Sequence, residues 1–329
     1  MAFWYRSKKI ITTLLKILIT VLVIAFIIRR LGWRDIVETV AQANVVWLIM
    51  ALALFIISGV LGVVQWQILL RNKGIYLTFF RVFTLYFIGM FFSNFVFGIV
   101  AGDAVKVALI KASKGSVKAG FAATLLDRFV GLWSLMGFAI AGSLILLKRG
   151  LLGQGRLTTA AVSLAAAFVI FCVICVFLVS KRVQHFSFTI LNALPVPGKD
   201  KIKEIVQEII FEAHDRYIII PIAVLSIFTQ AMRICVHILC AESLGLLTAA
   251  NFQYFFIFVP ILAIVMLVPL PFGVKEGLGG SLFLLAGFSP DTPEAPMVME
   301  FIASLTGIIA SLLGGIFFIS SKIKVHKDR

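Results

Sequence analysis

The chain has 329 residues, of which 61% are hydrophobic and only 14% charged, with a mean hydropathy of +1.08. That is more apolar surface than a water-soluble domain of this length can hide, and long runs such as Val45 to Leu70 lack the alternation of a membrane β-barrel, so the expected fold is an all-α polytopic membrane protein. The net charge of +15, from 30 Lys plus Arg against 15 Asp plus Glu, is scattered over loops and both tails, which favours anionic lipid headgroups as partners and argues against nucleic acid.

About eight apolar segments are long enough to span, at about 10–28, 45–70, 79–100, 118–147, 158–180, 217–241, 252–270 and 298–320. The first follows Arg6, Lys8 and Lys9 and ends at Arg29-Arg30 without a small-residue cleavage site, so it reads as a retained span and not a signal peptide. The longest polar stretch, about 181–216, is too short for an independent domain, which makes residues 1–329 a single integral membrane domain. Within that stretch Ile202, Ile205, Val206, Ile209, Ile210 and Ala213 recur at helical spacing after the breakers Pro195, Pro197 and Gly198, predicting an interfacial amphipathic helix over about 199–216. Basic tails and an even span count place both termini in the cytoplasm, although the loops near 29–34, 106–118 and 181–203 are basic as well. Oligomeric state is not legible.

The cysteines give no metal or redox site. Cys172 and Cys175 form a C-x-x-C inside an apolar span with no second ligand pair, and Cys235 and Cys240 lie in another span; all read as small hydrophobes. No cofactor is expected.

Two charged signatures stand out, Gly102-Asp103-Ala104-Val105-Lys106 and Gly273-Val274-Lys275-Glu276-Gly277. An ionisable side chain at the centre of a membrane helix costs about 2.5–3.5 kcal/mol on insertion scales, so such groups face a polar interior and serve function. Gly98 and Gly102 are expected to loosen the chain in the first half, and Pro269, Pro271 and Gly273 to break it in the second. Asp103 and Glu276 then fall in the first turn of restarted helices, where a carboxylate accepts free backbone N–H groups. Two re-entrant or broken helices follow, with helix ends and lysines suited to an anion such as a lipid phosphate.

Both signatures have similar surroundings. Gln65, Arg71 and Gly74 precede the first, Gln230, Arg233 and Gly245 the second, and Gly74 to Asp103 is 29 residues where Gly245 to Glu276 is 31. These spacings suggest a weak internal repeat, about 45–147 and 217–320, of the kind that builds transporter sites. Asp127-Arg128 opens the fourth span, and Gln230, Arg233 and His237 line one face of the sixth. The plain alternative is that Asp127, Glu276, Arg128 and Arg233 pair among themselves to hold helices in register. Lys16 snorkels to the interface, and His237 reads as a helix–helix hydrogen bonder.

The run Phe97 to Lys106, followed by Asp127-Arg128-Phe129-Val130-Gly131-Leu132, and the run Pro269 to Gly277 resemble the signatures of the flippase-like integral membrane family that includes the membrane portion of lysylphosphatidylglycerol synthases, the multiple-peptide-resistance proteins. The resemblance covers about residues 10–320. The family often has Pro where Phe97 stands, a second Gly at Ala101, and Arg at Lys106 and Lys275; a Lys donates as a point charge and not as a planar fork. Members that make lysyl-lipids carry a further soluble aminoacyltransferase domain, which this sequence lacks, so lysyl transfer is not expected.

The resemblance implies a non-enzymatic translocase for anionic or polyprenyl-phosphate lipids, with Gly102, Lys106, Arg128, Arg233, Gly273 and Lys275 at the headgroup. Asp103, Asp127 and Glu276 would balance charge or couple protons. The alternative is a membrane component of a glycosyl- or aminoacyl-lipid transferase, against which stands the lack of a D-x-D motif in an exposed loop and of a nucleotide-binding Gly-rich loop.

Overall fold

The computed structural model describes residues 37–38, 40–97, 99–113, 115–150, 216–266, 273–289 and 291–320. The expected spans at 10–28 and 158–180, Lys16, the Cys172/Cys175 pair, the amphipathic segment up to 215, Gly98, Pro269, Pro271 and the basic tails lie outside the described residues. Among the described residues the regular structure is helical throughout.

Eight α-helices follow in order: α1 (Val45–Asn72), α2 (Phe79–Phe92), α3 (Ile99–Ala112), α4 (Val117–Lys148), α5 (Arg216–Ser243), α6 (Phe255–Val265), α7 (Val274–Leu285) and α8 (Ala295–Ser320). Polar residues at the segment starts explain several boundaries. The side chain of Asn44 accepts from Val46 N at 3.0 Å, Thr78 from Arg81 N at 3.4 Å and Ser116 from Ala119 N at 3.3 Å, so each supplies an acceptor to an otherwise orphaned first-turn donor. Pro296 stands in the first turn of α8, where its missing N–H leaves no bond unmade.

Four of these helices, α1, α4, α5 and α8, are long and apolar enough to cross a membrane. The chain is an integral membrane protein. Its spans leave large apolar side chains such as Ile49, Leu147, Phe228 and Ile316 exposed, a surface suited to lipid. By contrast α3, with 14 residues, and α7, with 12, are only about 21 and 18 Å long, short of the roughly 30 Å hydrocarbon core. These two short helices carry the charged signatures.

The expected third span is interrupted. Instead of running to residue 100, α2 ends in a π-helical turn over Ser93–Phe97, and the chain restarts at Ile99. Two expectations are corrected by this. Asp103 lies beyond the first turn of α3, and Gly102 is not the break but a contact point inside α3, lying against the Gly89 carbonyl and Ser93 Oγ of the preceding segment. The second break lies where Gly273 was expected to help make it. Gly273 has φ 95°, a left-handed conformation that glycine adopts without strain, and α7 begins at the next residue.

The succession long, short, short, long occurs twice, as α1 to α4 and as α5 to α8. The first helix of each set stops in the same way. Ile75 N bonds to Leu70 O at 2.9 Å and Gly74 N to Arg71 O at 2.9 Å, while Leu246 N bonds to Ala241 O at 3.0 Å and Gly245 N to Glu242 O at 3.0 Å. Both are Schellman motifs closed by a left-handed glycine, with φ 73° at Gly74 and 66° at Gly245.

The chain divides into two compact units, one of Met1–Phe55 with Ile234–Ala310 and the other of Ile56–Arg233 with Ser311–Arg329. In the second unit Trp66, Leu69, Phe87, Ile88, Ile110 and Leu126 form a core drawn from α1, α2, α3 and α4. Polar links tie the same helices: Trp66 Nε1 donates to Thr124 Oγ1 at 3.1 Å, and Ser134 Oγ donates to Ser226 Oγ at 3.0 Å between α4 and α5. Gly314 of α8 lies directly against the backbone carbonyl of Phe87. In the first unit Phe283 of α7 meets Phe255 and Phe258 of α6 at ring-centroid distances of 4.7 and 5.0 Å, and Phe288 at 5.0 Å, pinning the short helix by aromatic packing.

A side chain at Gly314 would overlap backbone, which cannot yield as a flexible side chain can, whereas Gly137 in α4 has nothing within 4 Å. Gly314→Val is expected to lower stability by about 1–3 kcal/mol or more in mixed-micelle denaturation, and Gly137→Ala to leave it unchanged or slightly raised. Equal behaviour of the two variants would show that α8 does not pack as described.

Candidate functional site

The second unit gathers the first signature into a charge cluster. Asp103 accepts from Arg128 Nε on one carboxylate oxygen and from Nη2 on the other, both at 2.9 Å, a bidentate fork between α3 and α4. Lys106, three residues along α3, reaches the same carboxylate at 3.0 Å. The two cations are not equivalent. The Lys106 side chain is only 3% exposed, and its ammonium sits 5.0 Å from the ring centroids of both Trp66 and Tyr86, a cation–π enclosure. The Arg128 side chain, 31% exposed, keeps an open edge.

Helix contact makes this geometry. Gly102 lets α3 approach the Gly89 carbonyl, and the aliphatic stem of Lys106 runs over Gly89, so a side chain at either glycine would push the two segments apart. Asp127, next to Arg128, does not join the fork. It is buried in α4, accepts from Gln65 Nε2 of α1 at 2.8 Å, and lies within electrostatic reach of Lys106, Arg128 and Arg233. Arg233 of α5 is partly buried, and its Nε has no hydrogen-bond partner among the described residues. Gln230, one turn earlier on the same face, is buried beside Gly131.

The first unit holds the second signature. Glu276 is buried at the start of α7, where one carboxylate oxygen accepts from Gly273 N at 2.8 Å, satisfying a backbone donor freed by the break. Its other oxygen accepts from Ser304 Oγ of α8 at 2.6 Å, and Ser304 Oγ accepts in turn from Lys275 Nζ at 2.9 Å. Lys275 and Glu276 are therefore joined through a hydroxyl instead of touching. Lys275 remains partly exposed.

A further carboxylate in this unit, Glu300 of α8, was not singled out from sequence. It is fully buried and meets His237 Nδ1 of α5 at 2.9 Å. A signal for it exists: Glu300 follows Glu276 by 24 residues, as Asp127 follows Asp103 by 24. Among the described residues no group of three or more His, Cys, Asp and Glu is arranged to hold a metal ion.

Among the described residues, four helices long and apolar enough to cross a membrane, with short helices between them in the chain and carboxylate–cation clusters on two of these, define a polytopic membrane protein. Its family is clear: the family of the lysylphosphatidylglycerol synthase TM region matches residues 13–314, and the chain belongs to it. It is also similar to the UPF0104 membrane protein of Pyrococcus horikoshii, with 30% identity over 121 residues, 35% of this chain and 36% of that protein. The match thus spans about a third of that relative's length. No solved structure matches.

Removing one partner of a buried ion pair leaves a charge uncompensated. Asp103→Asn is expected to cost roughly 3 kcal/mol, the low end of the range for a broken buried pair because Asp103 and Arg128 are partly exposed. Adding Lys106→Met, which removes the enclosed charge while filling the space between Trp66 and Tyr86, should recover part of that loss in a double-mutant cycle. Additive effects would mean that the two side chains do not interact.

Proposed function

We propose that the protein moves lipids with anionic or phosphate-bearing headgroups across the membrane. The observation that carries this reading is that both charged signatures stand on helices too short to cross the bilayer, and the carboxylate of each is tied to a partly exposed cation, Asp103 to Arg128 of α4 and Glu276 through Ser304 to Lys275. Broken helices with charged ends are a recurrent means of receiving an anionic group at membrane depth. Membership in a family of lipid-related membrane regions supports the same class of substrate.

Arg128 and Lys275 are the headgroup contacts in this reading. The guanidinium, oriented by the Asp103 fork, offers remaining donors in a plane that matches phosphate oxygens. Lys275 contributes a point charge steadied by Ser304. Arg233, whose buried Nε has no hydrogen-bond partner among the described residues, is a further cation of the unit that holds Arg128. Gly102 and Gly273 act by allowing close approach and the helix restart, and Lys106 by holding Asp103. Asp103, Asp127 and Glu276 balance charge. Residence in the cytoplasmic membrane, with both termini on the cytoplasmic side, is part of the proposal.

The test is transbilayer movement of labelled anionic phospholipid and of a polyprenyl phosphate in proteoliposomes. Arg128→Gln and Lys275→Gln should each slow movement by roughly 10- to 100-fold, the equivalent of one charge-assisted hydrogen bond of about 1.5–3 kcal/mol. Lys275→Gln is expected to leave the thermal midpoint nearly unchanged, and Arg128→Gln to lower it because Asp103 loses its fork. Movement unaffected by either change would remove those cations from the path. Because the family description names a synthase, the same preparations are assayed with labelled sugar nucleotide and aminoacyl-tRNA; covalent transfer to lipid would replace the translocase reading with the transferase one.

A further inference from the structure

We infer that His237 and Glu300 form a proton-binding site that couples lipid movement to a proton gradient, an inference that rests on the translocase reading for its coupling but not for proton binding itself. The Glu300 carboxylate is 0% exposed, one oxygen meets His237 Nδ1 at 2.9 Å, and the other, Oε2, is buried with no hydrogen-bond partner among the described residues. A carboxylate so enclosed is costly unless compensated. The imidazole beside it is 13% exposed, so it is the member of the pair through which a proton can enter.

The charges around the pair favour a single exchangeable proton. Groups facing it come from two helices besides α8: His237 and Cys240 from α5, and Lys275 from α7, with Glu276 joined to Lys275 through Ser304. Cys240 is a buried free thiol and contributes no charge. Protonated His237 sets a positive imidazolium against the Glu300 carboxylate, on which Lys275 of α7 already acts. With Glu300 ionised, Nδ1 carries the hydrogen that Glu300 accepts, and Nε2 takes up the incoming proton. Uptake adds positive charge to this cluster, and an anionic headgroup arriving at Lys275 adds negative charge that favours the same protonated form. Proton and anionic lipid therefore bind with mutual support, as linkage requires of a symporter.

The other helix set supplies an internal contrast. Asp127 of α4 takes the place that Glu300 takes in α8, each 24 residues after a signature acid, and each is held by the first helix of its set. Gln65 and Trp66 precede Gly74 by nine and eight residues, and His237 precedes Gly245 by eight. The side chain that holds the fourth-helix acid is thus an amide in the first set, one position off the register of the imidazole in the second, and the amide cannot titrate.

The experiment uses the full chain in lipid nanodiscs with isotope-labelled histidine. The chain has four histidines, and the His237 signal is assigned by its loss in His237→Gln. The signal is followed across roughly pH 5–9, and the expected result is a reversible change that Glu300→Gln alters. A signal that stays constant over that range, or that changes identically in Glu300→Gln, overturns the site. If Glu300→Gln does not fold, Gly279→Ala replaces it, because the added methyl would come within 2.8 Å of Glu300 Cγ and displace the carboxylate. In proteoliposomes an imposed pH gradient should change the native rate of anionic lipid movement severalfold, while His237→Gln still moves lipid but ignores the gradient. A native rate indifferent to the gradient overturns the coupling. Absence of lipid movement in the native protein would refute the translocase reading, and the histidine titration would still decide the proton site.

Discussion

A charge enclosed by apolar helices has no water to solvate it, so its partner must come from the protein, and the placement of several helices follows from that requirement. Asp103 is the clearest case. It takes two hydrogen bonds from Arg128 of α4 and an ion pair from Lys106 of its own helix. For Lys106 to be there, α3 has to press against α2, which the glycine contact of Gly102 with the Gly89 carbonyl allows. Trp66 and Tyr86 then close over the ammonium, and Trp66 is itself anchored to Thr124. Removing any one of these features leaves another with an unmet charge or an unfilled volume.

The same requirement separates two residues that look alike in sequence. Lys106 and Arg128 both read as cations for a headgroup. Lys106 spends its charge inside the protein, while the wider guanidinium of Arg128 binds Asp103 along one edge and leaves another open. The lysine, enclosed by Trp66 and Tyr86, meets Asp103 from within, and the guanidinium meets it from the more exposed side.

Spans were legible because hydropathy over a long window decides whether a helix crosses: the predicted limits at 45–70, 118–147, 217–241 and 298–320 differ from α1, α4, α5 and α8 by a few residues. The break near Gly273 was legible because glycine supplies the required backbone conformation. The break after α2 was placed too late, since Ser93–Phe97 contains no glycine or proline to mark it and yet takes a π turn. That misplacement carried Asp103 into the first turn. Glu300 was overlooked for another reason: an acid two residues inside a predicted span of 298–320 looks like an interfacial boundary, whereas α8 begins at Ala295 and buries it completely. Hydropathy marks which segments are apolar, but the partner that makes a buried acid tolerable lies on another helix, and single-sequence patterning cannot see it.

The two sets of helices show what a repeated framework preserves and what it exchanges. Stop signals at Gly74 and Gly245, short third helices, and acids 24 residues apart recur. The cations do not. The first short helix has its lysine three residues after the acid and bonded to it, and the second has its lysine immediately before the acid, linked through Ser304. Position 279, three residues after Glu276, is a glycine whose lack of a side chain makes room for Glu300. At the matching position the first short helix carries Lys106, whose stem lies over Gly89 of α2, and Asp127 bonds to an amide; the second carries the glycine, and Glu300 lies enclosed against an imidazole. The buried acid of the fourth helix thus meets an uncharged donor in one set and a titratable ring in the other, while the order of the helices that carry it stays the same.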